Sequence, residues 1–154
     1  MRLSNNFYLS EFTRSATAQR LGIENEPNIE QVNKIQKLVD NLLQKIRDKI
    51  GAIRVTSGFR CVDLCLALGS KMTSQHTKGE ACDIQYHVDG TMQNKILFDA
   101  IIEHGEFDQL INEYNFSWIH VSYTEKNRCQ VLEARKNKQN KTFYIDITKK
   151  FTNL

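Results

Sequence analysis

The chain has 154 residues, 40% of them hydrophobic and 25% charged, and its 21 basic and 18 acidic residues leave a formal net charge of +3. That length can bury one core and is too short for two ordinary domains, so one domain over 1–154 is expected. The small, well-mixed charge makes no case for a nucleic-acid partner, and no stretch is apolar for long enough to insert stably in a membrane.

In chain order, residues 15–21 read as a short helix stopped by Gly22. Residues 29–50 are the clearest helix. Ile29, Val32, Ile35, Leu38, Val39, Leu42, Leu43, Ile46 and Ile50 recur at three- and four-residue intervals as a core-facing stripe, with Pro27 before it and Gly51 after it. A strand over 53–57 leads into Arg60, and 62–68 is a short helix ending near Gly69. The chain turns or extends at Gly79 before a short strand at 81–85. Residues 92–104 form a second long helix with Met92, Ile96, Leu97, Ala100 and Ile101 on its apolar face. A strand at 107–113 pairs with one at 118–123, and 142–147 alternates like an edge strand. The basic run 135–141 reads as a solvated loop, with a wall-binding patch as its alternative. This order predicts an α+β fold with a small, mainly antiparallel sheet and flanking helices.

Three side chains carry chemistry in this frame. His76 and Asp83 lie in Ser-Gln-His-Thr-Lys-Gly-Glu-Ala-Cys-Asp (74–83), and His120 lies in Trp-Ile-His-Val-Ser (118–122). Two imidazoles and a carboxylate suit a catalytic zinc with one position left for water, although manganese or cobalt also accept such a set. Taken singly, each histidine has an ordinary reading as a surface or hydrogen-bonded residue. On the 118–123 strand, Trp118, His120 and Ser122 share one face and Ile119, Val121 and Tyr123 the other. His87 and His104 have no motif around them and are expected on the surface.

The motifs resemble those of the zinc D-Ala-D-Ala carboxypeptidases and L-alanyl-D-glutamate endopeptidases of peptidoglycan (peptidase family M15), whose fold is shared with the zinc domain of hedgehog proteins. The family pattern Ser-x-His, Gly-x-Ala-x-Asp, Trp-x-His is matched by Ser74, His76, Gly79, Ala81, Asp83, Trp118 and His120. Thr-Ser-Gly-Phe-Arg at 56–60 is similar to the family's Ser-Gly-Tyr-Arg, which implies that Arg60 binds a substrate carboxylate or carbonyl. The opening segment, with Leu9-Ser10-Glu11-Phe12 and Ser15-Ala16-Thr17-Ala18, resembles compact phage-type members. The resemblance spans about residues 6–124.

It implies a hedgehog/D-Ala-D-Ala-peptidase-like fold and a zinc metallopeptidase that hydrolyses an amide bond in D-amino-acid-containing stem peptides, as carboxypeptidase or endopeptidase, for phage or prophage wall degradation. Many relatives place an acid three positions before the last histidine ligand; here that position is Ser117. Glu113, at the end of the preceding strand, is the substitute general base, with an exposed strand-end acid as its ordinary reading. Asp108 is a second carboxylate candidate that reads better as a structural partner. Ser74 and Ser122 bind substrate, orient the ligands or make plain turn and strand hydrogen bonds; Trp118 walls the cleft or packs as a core indole. The departure at Ser117 keeps open a non-catalytic zinc-bearing wall-binding or virion module.

The amino terminus lacks the roughly 7–15-residue apolar core of a secretion signal, so a soluble cytoplasmic product acting on the bacterial wall is expected, as a monomer. Cys61, Cys65, Cys82 and Cys129 show no paired zinc-knuckle spacing and read as reduced, small apolar side chains, with a structural metal as the alternative. Cys82 precedes Asp83 in a strand and so points away from the metal.

Overall fold

The computed structural model describes residues 1–151. Two short helices open the chain, α1 (Leu9–Thr13) and α2 (Ala16–Leu21). The second is capped as its sequence dictates: Ser15 accepts the Ala18 N–H, and Gly22 closes it at φ 65°. The first carries Phe12 into the core at 0% exposure and has no counterpart in the sequence reading, because five residues are too few to show a helical period.

The long helix forms as expected but in three pieces. These are α3 (Ile29–Leu38), a π-helical turn (Val39–Leu43) and α4 (Gln44–Ile50). Asn28, rather than Pro27, starts it, in a reciprocal cap with Gln31. The extra residue in the π turn lets Leu38, Val39, Leu42 and Leu43 all reach the core at 0% exposure. The buried stripe is shorter than its pattern, since Ile29 is 82% exposed in the first turn.

Strand β1 (Ile53–Ser57) precedes α5 (Val62–Ala67) and a one-turn helix α6 (Gln75–Lys78). Strand β2 (Ala81–Val88) is longer than predicted and turns back through β3 (Thr91–Met92). Helix α7 (Asn94–His104) starts two residues later than predicted; its buried face is Leu97, Phe98, Ala100 and Ile101, while Met92 and Ile96 are exposed. Strands β4 (Gln109–Glu113) and β5 (Trp118–Ser122) form the expected hairpin.

Strand β6 (Gln130–Lys136) replaces part of the predicted basic loop, so Arg135 and Lys136 belong to a strand and only the turn beyond them is loop. It lies parallel to β4, and the edge strand β7 (Thr142–Asp146) follows. A 3-10 turn (Thr148–Lys150) closes the described chain.

The sheet has the order β1-β2-β5-β4-β6-β7, with β3 paired to β2, and every pairing except β4–β6 is antiparallel. This is the predicted α+β architecture. One face packs Val55, Cys82, Ile84, Leu110, Ile119, Val121 and Val131 against the long helix and α7. The opposite face carries Asp83, Glu113, Trp118 and His120. Cys82 thus points into the core, and burial pushes its thiol pKa well up, as expected for an inert cysteine. All four cysteines are free thiols. His104 is half-buried, with Nε2 2.9 Å from the Asn41 carbonyl, instead of lying on the surface. No helix among the described residues is long and apolar enough to cross a membrane.

Candidate metal centre

His120 and Asp83 face each other across the β2–β5 ladder as direct register partners. Two rigid neighbouring strands therefore set their spacing before any side-chain torsion is chosen. His76 comes from α6, whose position is set at both ends. Ser74 caps it by accepting the His76 backbone N–H, and Gly79 ends it at φ 74°. A side chain at Gly79 would place Cβ 2.6 Å from the Gln31 carbonyl oxygen, so the close approach of α6 to α3 requires glycine.

The three side chains converge. His76 Nε2 lies 3.2 Å from His120 Nδ1 and 3.5 Å from Asp83 Oδ1, and His120 Nδ1 lies 3.1 Å from that same oxygen. Tetrahedral zinc with ligand bonds of ~2.0–2.2 Å holds its donors about 3.3–3.6 Å apart, so the edges of the triangle lie within a few tenths of an ångström of those of a zinc site. Among the described residues, this is the one group of three or more histidine, cysteine or acidic side chains close enough to hold a metal ion.

The outer atoms of the ligands are also engaged. His76 Nδ1–H donates to the Gly58 carbonyl at 2.6 Å, which leaves Nε2 as the lone-pair donor. Asp83 Oδ2 accepts from Arg60 Nη2 at 2.8 Å, which leaves Oδ1 for the metal. Burial pushes the Asp83 carboxyl up, but the imidazoles of His120 and His76 beside it prevail and hold it well below the usual range. Burial likewise lowers the pKa of His76, against the pull of Asp83, and so favours the neutral imidazole a metal needs.

The loop after β1 supplies both Gly58 and Arg60. A bulge between Val55 and Ser57 swings it onto the metal face. Phe59 N–H donates to the Phe12 carbonyl, and the buried Asn25 bridges Thr13, Phe59 and Cys61 with three hydrogen bonds. Asn25 has no signature in sequence, since a lone asparagine in a polar loop looks like a turn residue. Arg60 is oriented by Ser57 Oγ at 3.1 and 3.0 Å, as well as by Asp83. A surface cavity of about 470 Å3, lined by Ser15, Thr17, Thr56, Ser57 and Arg60 among others, opens beside it.

Glu113 stands on the same face as His120. It pairs with Trp118, while His120 pairs with Ile111. Glu113 and His120 are thus diagonal cross-strand neighbours on one face, with Cα atoms about 7–8 Å apart. The residue is 8% exposed, and burial, opposed by His120 and assisted by the Asp83 charge, pushes the carboxyl pKa from 4.5 up to about 7. Ser117 sits in the hairpin turn with its Oγ donating to the Tyr114 carbonyl.

Asp108 belongs to a separate network. Its carboxylate accepts from Arg128 Nε and Nη2 at 2.9 and 2.6 Å and from Gln75 Nε2 at 2.8 Å. It therefore ties the residue before His76 to the sheet. Ser122 is fully enclosed and accepts the Gln109 N–H at 3.0 Å. Trp118 is half-buried on the metal face with its ring 5.3 Å from that of Tyr114. His87 is exposed.

The family model described as Peptidase M15 matches residues 5–122, which include all three members of the triangle as well as Arg60 and Glu113. No curated protein matches the chain.

Proposed function

The chain belongs to the Peptidase M15 family of zinc metallopeptidases, which act on D-amino-acid peptides, and from that premise we propose that it hydrolyses an amide bond in the stem peptides of peptidoglycan. The observation that carries this reading is the placement of a buried carboxyl, Glu113, on the metal face one diagonal step from His120. A module that only bound the wall would need the triangle but would have no use for a buried acid beside it.

His76 Nε2, Asp83 Oδ1 and His120 Nδ1 would hold the zinc. When bound, it supplies Lewis-acid chemistry, acidifying water and polarising the scissile carbonyl. Glu113 accepts a proton from the attacking water and passes it to the departing amine as the C–N bond breaks. Its burial on the metal face holds the carboxyl in place for both halves of that task, since a base must first be within hydrogen-bond reach of the proton it moves. Arg60 fixes Asp83 and turns its remaining N–H groups to the substrate carbonyl or carboxylate, where a developing negative charge is stabilised. Trp118 walls the cleft, while Ser74 and Ser122 act through the backbone: Ser74 holds the turn carrying His76, and Ser122 holds the β4–β5 register.

In this reading residues 1–154 form one zinc peptidase domain, which acts as a monomer on the bacterial cell wall in a phage or prophage setting. The compact opening segment supports the phage-type assignment.

The test is digestion of purified peptidoglycan and synthetic stem peptides by the zinc-loaded protein, with a chelated control and mass analysis of the products. Chelator-sensitive release of D-alanine is the carboxypeptidase outcome, and a cut between L-alanine and D-glutamate or in a cross-bridge is the endopeptidase outcome. A zinc-loaded protein that releases nothing from any wall type would instead be a binding module, the reading that the serine at position 117 favours.

A further inference from the structure

The family match ends at residue 122, yet the sheet continues through β6 and β7, and these strands extend the metal face. In the parallel pairing Glu113 is the partner of Ala134, and in the next pairing Ala134 is the partner of Tyr144. Paired residues project from the same side of a sheet, so one row runs Trp118, Glu113, Ala134, Tyr144 beside the metal. With strands ~4.8 Å apart, the Cα of Tyr144 is about 10 Å from that of Glu113, with one methyl group between them. Ala134 is 0% exposed despite that small side chain, so its larger neighbours close over it.

Tyr144 itself is 55% exposed. Burial of its phenol, with the charges of Glu113, Tyr114 and Asp83, raises its pKa, so the hydroxyl keeps its proton as a donor at neutral pH. The neighbouring Tyr114 is committed, with its hydroxyl on Thr142 Oγ1 and its ring under Lys136. No hydrogen bond among the described residues engages the Tyr144 hydroxyl.

The strand order converts this placement into a substrate direction. Across the sheet the order is Arg60 beside β1, then Asp83, His120, Glu113, Ala134 and Tyr144. A base that returns its proton to the leaving amine must lie next to the scissile nitrogen, so the half of the peptide that begins with that nitrogen continues past Glu113. Building on the peptidase reading above, we propose that Tyr144 is a substrate-binding residue that receives this amine-side half, its ring packing on the first residue after the cut and its hydroxyl donating to a peptide carbonyl. The acyl-side half then lies toward Arg60, which in this orientation meets the scissile carbonyl rather than a terminal carboxylate.

The experiment uses the full zinc-loaded chain and the pentapeptide L-Ala-D-Glu-L-Lys-D-Ala-D-Ala. The two products of the wild-type reaction are isolated, and each is used as a competitive inhibitor of the wild type, Tyr144→Phe and Tyr144→Ala. In Tyr144→Ala, inhibition by the amine-side product should weaken about tenfold and inhibition by the acyl-side product should not change. In Tyr144→Phe, which removes a single oxygen and keeps the packing, the loss should be about two- to tenfold, the worth of one hydrogen bond. Equal effects on both products, or none on either, overturn the proposal.

A second measurement does not need turnover. Trp118 is the sole tryptophan of the chain, so its emission reports occupation of this wall. Zinc-loaded Glu113→Gln is titrated with the pentapeptide, with and without Tyr144→Ala. Binding that weakens with the tyrosine removed, from a wild type that cleaves nothing, sinks the catalytic reading and the amine-side orientation with it, and leaves Tyr144 standing as a peptide-binding residue. Binding indifferent to Tyr144, or no binding at all, overturns the inference.

Discussion

The Gly58 carbonyl oxygen accepts the Nδ1–H of His76 at 2.6 Å, and the same glycine has no room for a side chain, because a Cβ there would lie 2.6 Å from both Cα and O of Phe12. One residue thus fixes the tautomer of a metal ligand and the seat of α1 against the loop after β1. Gly58→Ala should push the loop off α1 and move the carbonyl from the imidazole. Loss of such an outer hydrogen bond weakens metal affinity by roughly 10–100-fold. Competition with a chromogenic chelator measures this directly, and an unchanged zinc affinity would show that the carbonyl does not govern the ligand.

His120→Ala removes one corner of a triangle whose other two corners cannot complete a tetrahedral site. Metal and activity should disappear together. Elemental analysis after gel filtration is the check, and stoichiometric zinc in the variant would place the ion elsewhere in the chain.

Glu113→Gln keeps the shape of the side chain and removes its ability to take a proton. Turnover should fall by about 10²–10⁴-fold with zinc content unchanged, since the carboxyl is no member of the triangle. Full activity in this variant would remove Glu113 from the mechanism. Asp108, whose carboxylate is occupied by Arg128 and Gln75, would then be the next acid to test.

The same carboxyl predicts a pH dependence in the metal-free protein. Its folded pKa of about 7 lies above the ordinary 4.5, so the folded chain binds this proton more tightly than the unfolded chain. The associated stability is fully present below pH 4.5 and is lost as pH rises through about 7. Metal-free Glu113→Gln escapes that loss. Relative to its own value near pH 4, its stability above pH 7 should exceed that of the metal-free wild type by up to about 3 kcal/mol. Denaturant titrations at both pH values give the difference, and parallel pH profiles for the two proteins would refute a raised Glu113 pKa.

Much of the metal centre was legible from the chain alone. Strand alternation around His120 put it on a face opposite Ile119 and Val121, and those two residues are fully buried on the other side. The same local rule turned Cys82 away from Asp83. Such features depend on neighbours one and two residues away, which a sequence displays directly.

Other features were not legible, because they depend on partners distant in sequence. Strand β6 buries only Val131 and Ala134 completely, and their three-residue spacing beside Arg135 and Lys136 resembles a loop more than a strand. Pairing with β4 alone makes it a strand. Glu113 is an intermediate case: the sequence reading already singled out its carboxyl as the candidate base on a predicted hairpin, and the β4–β5 register puts it on the face of His120.

By itself, then, the sequence determined which residues could bind zinc and which faces of their strands they occupy, since ligand chemistry and side-chain alternation are properties of short segments. Only the tertiary structure decided that Gly58 holds His76, that Arg60 holds Asp83, that Glu113 shares the metal face and that Tyr144 extends it. Those relations are made by hydrogen bonds and strand registers between segments tens of residues apart, and no short window of the chain contains both partners.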